Sequence, residues 1–282
     1  MKRSTRADLA RGTVEIVERG SYRSASGRAV DIAHSIRACL KATRYYPPEE
    51  VERLREDALG HRGTDQSTVF EVVNETTLSG IARVLSLGQG PVAVLNFASA
   101  KNPGGGFLNG SHAQEESLAR SSALHASQMR AWDFYERHRA SSSLLYSDAM
   151  ILSPGCPIFR DDDGKLLDEP QLAAFITSAA PNAGAAADNR SAELPSIPRV
   201  FCRRSEHVLA LAASQGYGQL VLGAWGCGVF RNDPGVVAES FAAHLRHGSW
   251  AGRFDRVVFS VLDTSTSQST LEAFRRAFSR SE

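Results

Sequence analysis

The chain has 282 residues, of which 42% are hydrophobic and 22% charged, a composition typical of one large or two small globular domains. Its 32 lysines and arginines nearly balance 31 aspartates and glutamates, which excludes a uniformly basic surface for long nucleic acids. The 4 cysteines are scattered, which argues against a disulfide framework or a zinc ribbon. With no apolar run near the roughly 20 residues of a membrane span and no signal-peptide core, we expect a soluble, cytoplasmic protein.

Residues 1–90 have mainly helical patterns. Apolar residues at helical spacing precede Gly20, and the Tyr45-Tyr46-Pro47-Pro48 segment then interrupts the pattern. Residues 49–59 fit a second helix, with acidic residues in its first turn and Gly60 after its end. We therefore predict an N-terminal helical extension, residues 1–90, packed on a core.

From residue 91 onward, apolar runs of strand length alternate with helical segments. The predicted strands are 92–97, 149–152, 220–222 and 257–262, with a helix over 205–215 and another after Asp233-Pro234. Residues 181–198 are rich in Ala, Asn, Ser and Pro and are predicted to form a surface loop. This alternation predicts an α/β core, residues 91–282, with a parallel or mixed sheet between helices.

A first glycine loop, residues 98–106, follows the first of these strands and ends in Gly104-Gly105-Gly106. Such a run lets the backbone approach a ligand closely and exposes N–H donors, although many such runs are only turns. A helix is predicted to follow, with Ser111 and Gln114 as an S-x-x-Q capping box. Glu115 and Glu116 then fall in its first turn.

Adjacent helical residues point about 100° apart, so only one of Glu115 and Glu116 can face a given reacting atom. This spacing favours one acid/base residue and one orienting residue. A solvated pair at a helix N-terminus is the alternative, because acids there are favourable in any case.

A second glycine loop, residues 223–230, reads Gly-Ala-Trp-Gly-Cys-Gly-Val-Phe and again lies between a strand and a helix. Ligands of open α/β sheets bind at the carboxyl ends of strands, so its backbone N–H groups are predicted to hold a diphosphate. Phe230 can stack on a sugar or base, although simple packing of these residues is also open. The loop matches neither a P-loop nor the G-x-G-x-x-G fingerprint.

Gly104-Gly105-Gly106, followed after seven residues by Gln114-Glu115-Glu116, resembles the GGG-X(6-8)-QEE signature of poly(ADP-ribose) glycohydrolases. The second glycine loop resembles their diphosphate loop, and the chain as a whole resembles the short bacterial-type members. The resemblance implies a macrodomain-like mixed sheet flanked by helices, with the N-terminal helical extension.

The resemblance also implies hydrolysis of the ribose–ribose O-glycosidic bond of poly(ADP-ribose), mainly from chain ends, as part of ADP-ribosylation reversal in the DNA damage response. It implies Glu116 as the general acid/base and Glu115 as the residue that orients ribose, with no metal or other cofactor. ADP-ribose, its polymer and ADP-ribosylated proteins are the implied partners, without a membrane or nucleic acid. The implied substrate contacts are Asn102, Gly104, Gly105, Gly106, Gln114, Gly223, Gly226, Cys227, Gly228, Val229 and Phe230.

Three other functions stay open at this point. A macrodomain can bind ADP-ribose without turnover, and the same pocket can accept mono-ADP-ribosylated proteins. A metal hydrolase using Cys202, His207 and Cys227 is disfavoured because their spacing matches no familiar ligand pattern.

The polar run at residues 263–267 either borders the pocket or forms a surface turn.

Overall fold

The structure, a computed structural model, describes residues 1–60 and 67–279, so residues 61–66 and 280–282 of the two predicted domains lie outside the described residues. The strands are β1 (Ser21–Arg23), β2 (Ala29–Asp31), β3 (Arg44–Tyr46), β4 (Val69–Val73), β5 (Val92–Phe97), β6 (Met150–Arg160), β7 (Leu166–Ser178), β8 (Gln219–Leu222) and β9 (Arg256–Ser260). The helices are α1 (Arg3–Arg19), α2 (Ala33–Ala42), α3 (Pro48–Gly60), α4 (Thr77–Ser86), α5 (Gln114–Ser121), α6 (Leu124–Gln128), α7 (Trp132–Ala140), α8 (Ala183–Asn189), α9 (Ile197–Ser214), α10 (Pro234–Leu245) and α11 (Ser269–Phe278). In the described ranges, no helix combines the length and apolar character needed to cross a membrane.

Seven strands form one mixed sheet in the order β3-β6-β7-β5-β8-β9-β4. The strands from β7 to β4 pair in parallel, whereas β3, β6 and β7 pair antiparallel at one side. Strands β1 and β2 form a separate hairpin. The prediction of an α/β fold with a mixed sheet flanked by helices is confirmed.

Strand β5 shows how the sequence builds two apolar layers. Val92 and Val94 belong to one buried cluster, and Ala93 and Leu95 belong to the other, because successive strand residues point to opposite faces. Helices α3, α9, α10 and α11 pack in the cluster with Ala93 and Leu95, and α1, α2, α4 and α5 pack in the other. Strand β5 is therefore buried on both faces, as parallel strands usually are.

The carboxyl ends of the parallel strands place the functional loops. The first glycine loop follows β5, and the second follows β8, its direct neighbour. The segments after β4 and β9 leave the same edge of the sheet because those strands are parallel to β8. This edge is where open α/β sheets bind their ligands.

Residues 1–90 are not only helical, since they supply β3 and β4, the two edge strands of the sheet. The division into an extension and a core at residue 90 stays a prediction about domains. All four predicted strands exist, the one at 92–97 with the predicted bounds and the other three with shifted bounds, but β7 was missed. Its first half is polar and contains Pro170, and it pairs with β6 in a long hairpin.

Residues 181–198 are not a surface loop, which corrects the prediction. Asn182 caps α8 by accepting a hydrogen bond from the Ala185 N–H at 3.0 Å, and alanine is the best helix former. Helix α9 begins at Ile197 rather than at Ser205, because Pro198 in its first turn is compatible with helix initiation. The predicted cap of α10 is confirmed, since the Asp233 carboxylate accepts from the Val236 N–H at 3.0 Å.

Candidate active site

A cavity of about 1320 Å³ opens at the carboxyl edge of the sheet, between the two glycine loops. It also contacts the segments after β4 and β9, including Asp263, Thr264 and Ser265 of the polar run that was left open. The predicted site residues that line it are Asn102, Gly105, Gly106, Gln114, Glu115, Glu116, Gly226, Cys227, Gly228, Val229 and Phe230. Gly104 and Gly223 are not part of this lining; both lie beneath their loops.

The first glycine loop brings backbone directly against the two glutamates. Gly105 has a φ of +59°, and a Cβ atom at this position would overlap the Glu116 carboxylate. The next N–H, from Gly106, donates to Glu116 Oε1 at 3.0 Å. Gly104, with a φ of +65°, packs on the Phe107 ring instead. Glycine is therefore required at Gly105 because the carboxylate occupies the place of a side chain.

The predicted capping box between Ser111 and Gln114 is wrong. Helix α5 begins at Gln114 with Ala113 as its N-cap, and no side chain caps it. The Gln114 amide is instead committed to strand β5, where its Oε1 accepts from the Phe97 N–H at 2.9 Å and its Nε2 donates to Leu95 O at 2.8 Å. These bonds dock the start of α5 on the end of β5.

Glu115 points from α5 into the protein and is 3% exposed. Its Oε1 accepts from Asn96 Nδ2 at 3.0 Å and from Gln128 Nε2 at 2.8 Å. Its Oε2 accepts from the Ser99 N–H at 2.7 Å. Three elements of the fold therefore fix the position of this carboxyl group.

Burial raises the pKa of Glu115 to about 7, although the three hydrogen bonds from Ser99, Asn96 and Gln128 oppose that rise by favouring the carboxylate. The nearby Glu116 charge adds to the rise. Glu115 thus titrates near neutral pH inside a fixed set of donors.

Glu116 occupies a different environment one residue further along the helix. It is half-buried, lines the cavity and is held by the Gly106 N–H. The 100° rotation between neighbouring helical residues separates the two carboxyl groups in this way. The expectation that they make different contacts is met: both line the cavity, but Glu115 is buried and accepts three hydrogen bonds, whereas Glu116 is half-buried and accepts one from the Gly106 N–H.

The second glycine loop presents unpaired backbone donors to the cavity. Among the described residues, no hydrogen-bond acceptor is found for the N–H groups of Gly226, Gly228, Val229 or Phe230. Four free donors in one short loop that lines the cavity can bind an anion such as a diphosphate.

Asn232 holds the second glycine loop in shape from below. It is 3% exposed, and its Nδ2 donates to Pro181 O at 2.8 Å and to Gly226 O at 3.0 Å. A Cβ at Gly226 would lie 2.6 Å from this same nitrogen. Gly223 packs against Phe97 and Ser260, where a Cβ would collide with the backbone. These contacts give the loop its conformation.

Cys227 and Phe230 are the larger side chains of this loop. Burial raises the pKa of the Cys227 thiol to about 12, and the Asp233 charge adds to this rise, so the thiol stays protonated at neutral pH. Phe230 is half-buried, and its ring centroid lies 6.3 Å from that of Tyr146. Phe230 therefore lines the cavity and has an aromatic neighbour in Tyr146.

The cysteine and histidine residues of the metal alternative do not come together. Cys202 contacts His244, with 3.6 Å between Sγ and Nε2, whereas His207 Nε2 lies 2.7 Å from Glu52 Oε2. Cys227 lies apart from both, in the cavity. In the described ranges, no group of three His, Cys, Asp or Glu side chains has the geometry of a metal site.

Sequence reasoning missed the residues that hold Glu115. Asn96 is the fifth residue of a buried strand and was read only as part of that strand, although a polar residue there is a signal. The sequence around Gln128 contains no such signal, because this residue lies in another helix, α6, and reaches Glu115 only through the tertiary fold.

Comparison with known proteins identifies close relatives. A family model described as microbial-type PARG, catalytic domain, matches residues 10–161. The chain is similar to a poly(ADP-ribose) glycohydrolase (PARG) structure from Thermomonospora curvata, at 50% identity over 98% of this chain and 100% of that chain, with a TM-score of 0.93. No curated protein matches the chain.

Two further solved structures were determined with ligands. One is a Thermomonospora curvata poly(ADP-ribose) glycohydrolase bound to the inhibitor ADP-HPD, at 48% identity over 98% of this chain and 100% of that chain, with a TM-score of 0.90. The other is a Deinococcus radiodurans poly(ADP-ribose) glycohydrolase in complex with ADP-ribose, at 46% identity over 88% of this chain and 98% of that chain, with a TM-score of 0.81.

Proposed function

The chain belongs to the family of microbial-type poly(ADP-ribose) glycohydrolases, and we propose that it hydrolyses ribose–ribose O-glycosidic bonds of poly(ADP-ribose) to release ADP-ribose. The observation that carries the mechanism is the pair of neighbouring glutamates that line one cavity in different environments, Glu115 buried and Glu116 half-buried. The relatives crystallised with ADP-ribose and with ADP-HPD support ADP-ribose as the bound unit.

The terminal ADP-ribose unit binds across the two glycine loops. Its diphosphate is held by the free N–H groups of Gly226, Gly228, Val229 and Phe230 in the second loop, and the Phe230 ring packs against the terminal ribose. Asn102, at the start of the glycine run, contacts ribose hydroxyls. Substrate contacts of Gly104 and Gly223 stay predictions, because both residues pack against other residues beneath their loops.

Glu116 is the general acid and then the general base. It donates a proton to the 2′-oxygen of the leaving adenosine ribose as the bond to the anomeric carbon breaks with oxocarbenium-like character. The resulting Glu116 carboxylate takes a proton from the attacking water, whose oxygen bonds to the anomeric carbon, and this restores the acid. Held by the Gly106 N–H, the carboxyl group keeps one orientation through both steps.

Glu115 orients the ribose at the scissile bond. Its carboxyl group already accepts three hydrogen bonds from Asn96, Gln128 and the Ser99 N–H, and it lines the cavity. A group fixed in this way accepts a ribose hydroxyl at a defined position without reorganising. The reaction needs no metal or cofactor, because the two carboxyl groups supply acid/base chemistry and positioning.

Cleavage proceeds mainly from chain ends. Helix α1 packs on the turn that follows the first glycine loop, where Arg3 Nε donates to Asn109 O at 2.9 Å, and Met1, Arg6 and Leu9 line the cavity. This helix narrows the path of a polymer that continues past the bound unit.

The catalytic unit is of the macrodomain type, and it acts in the cytoplasm on ADP-ribosylated proteins, reversing modification that follows DNA damage. Neither a membrane nor nucleic acid takes part.

The test is incubation of the purified chain with auto-poly(ADP-ribosyl)ated protein, comparing the native chain with Glu116→Gln. We expect free ADP-ribose, identified by mass, from the native chain and a loss of about 10² to 10⁴ in kcat in the variant. The variant should still bind ADP-ribose by calorimetry. A native chain that binds ADP-ribose but leaves polymer intact would contradict the proposal and favour a binding module or an enzyme for mono-ADP-ribosylated proteins.

A further inference from the structure

Three basic side chains line the cavity on the side of Glu116: Arg6 from α1, His112 from the segment before α5, and Arg120 from the last turn of α5. We refer to these three residues as the cationic wall. Arg120 lies one helical turn after Glu116 on α5, and His112 Nδ1 lies 3.1 Å from Arg120 Nη2. These two residues therefore place the wall beside Glu116.

The two arginines of the wall have no carboxylate counter-ion in the part of the chain that the structure describes. No carboxylate oxygen of the described residues lies within 4.0 Å of a side-chain nitrogen of Arg6 or Arg120. Arg120 is 6% exposed and donates instead to Ser111 O at 2.7 Å and Ser117 Oγ at 3.1 Å. A buried guanidinium held only by neutral groups is unfavourable by itself, and two adjacent ones repel each other. The fold therefore maintains a positive charge that a bound anion would compensate.

His112 adds a neutral donor to the wall. Its Nδ1 lies 3.1 Å from Arg120 Nη2, and a guanidinium can only donate, so Nδ1 accepts and the ring proton is on Nε2. Burial lowers the pKa of His112, and the charges of Arg120 and Arg6 lower it further, which keeps the ring neutral. The Nε2–H is then free to donate to an oxygen of a ligand.

We propose that Arg6, His112 and Arg120 form a second anion subsite, which binds the diphosphate of the ADP-ribose unit adjoining the scissile bond. This inference rests on the proposed function. In the polymer, the leaving 2′-oxygen belongs to an adenosine ribose whose 5′-carbon carries the next diphosphate, so this anion lies one ribose away from Glu116. The wall lies next to Glu116 and carries two guanidinium groups, which match phosphate oxygens in geometry.

The subsite gives the enzyme a preference for polymer. The second glycine loop contacts the diphosphate of the terminal unit with backbone N–H groups, whereas the wall contacts the diphosphate of the leaving unit with two guanidinium groups and an imidazole N–H. A mono-ADP-ribosylated protein has no diphosphate on the leaving side. The cationic wall therefore adds no binding energy for a mono-ADP-ribosylated protein.

The test compares two substrates: poly(ADP-ribose) of defined length and an aryl 1″-glycoside of ADP-ribose, whose leaving group carries no phosphate. In Arg6→Gln and Arg120→Gln we expect KM for the polymer to rise about tenfold, with weaker dependence of KM on salt. Turnover of the aryl glycoside and the Kd of ADP-ribose should change less than about twofold, which is below 0.5 kcal/mol.

Arg11→Gln is the matched control, because Arg11 lies on the same helix, is 62% exposed and pairs with Asp8 outside the cavity. It removes the same charge and should leave both substrates unaffected. If Arg120→Gln does not fold, Arg6→Gln carries the test alone, since Arg6 is half-buried and its Nε donates to a single loop carbonyl, Gly110 O.

The proposed subsite would be overturned if the variants lost the same activity on the polymer and on the aryl glycoside, or if they bound ADP-ribose more weakly. It would also be overturned if KM for the polymer did not change. A native chain that cleaves neither substrate contradicts the proposed function itself. A native chain that cleaves both while the variants are unchanged contradicts the subsite alone.

Discussion

Replacing Glu115 by glutamine should make the stability of the protein less dependent on pH. Burial raises the pKa of Glu115 from its ordinary value of 4.5 to about 7. Each unit of difference between folded and unfolded states corresponds to about 1.4 kcal/mol, so ionising this buried group costs the folded state about 3 kcal/mol. Glutamine keeps the size of the side chain and cannot ionise.

The sign of this pH dependence follows from which state of the protein, folded or unfolded, binds the proton more tightly. Below the unfolded pKa of 4.5 the carboxyl group is protonated in both states and contributes no pH dependence. As the pH rises towards 7, the unfolded chain has released the proton and the folded protein still holds it, so the free energy of unfolding falls. Above pH 7 both states release the proton, so the free energy of unfolding falls no further through this group.

The measurement is urea unfolding of the native chain and Glu115→Gln from about pH 4 to about pH 8.5. Over this range the native chain should lose about 3 kcal/mol relative to the variant. Glu169→Gln is the control, because that side chain is 86% exposed and its removal relieves no burial. Parallel stability profiles for the native chain and Glu115→Gln would refute the reasoning.

Three further substitutions probe the site and its support. Gly105→Ala combines a φ of +59° with overlap of the Glu116 carboxylate, so kcat should fall more than about tenfold and Tm should drop, by strain of about 1 to 2 kcal/mol. Gly226→Ala places a Cβ 2.6 Å from two side-chain atoms beneath its loop, and calorimetry should show ADP-ribose binding about tenfold weaker. Asp148→Asn leaves the fully buried Arg204 guanidinium without the carboxylate that accepts from its Nε at 2.8 Å, and urea unfolding should show a loss of about 3 to 5 kcal/mol.

Local sequence signals predicted the parts of the site that depend on neighbours in the chain. The two glycine loops follow buried strands, and both glutamates fall in the first turn of a helix, as their spacing indicates. The capping box failed because the Gln114 amide has better partners on β5 than the helix N-terminus offers. A local motif therefore placed the helix, and tertiary contacts decided what its first side chain does.

Contacts between distant segments escaped the sequence analysis. Strands β3 and β4 are short edge strands inside a mainly helical region, and neither has a distinct alternation of apolar residues. Gln128 reaches Glu115 from α6, and Arg6 reaches the cavity from α1, 110 positions before Glu116 in the chain. Periodicity reports only which face of an element is buried, so it contains no information on such pairings.

The order of the Gln-Glu-Glu triplet follows from how α5 docks on β5. Gln114 binds the backbone of the strand at Leu95, and Glu115 binds the N–H of Ser99 just beyond the strand, so two successive side chains fix the start of the helix. With both anchored at the end of the strand, the third side chain, Glu116, extends to the first glycine loop, where the Gly106 N–H donates to it at the cavity. Shifting the triplet by one position would rotate each side chain by about 100° and leave the cavity-facing carboxylate without its anchor. The proposed acid/base function of Glu116 therefore depends on the hydrogen bonds that anchor Gln114 and Glu115. For this reason, acidic residues at a helix N-terminus are not sufficient for this function without such anchors.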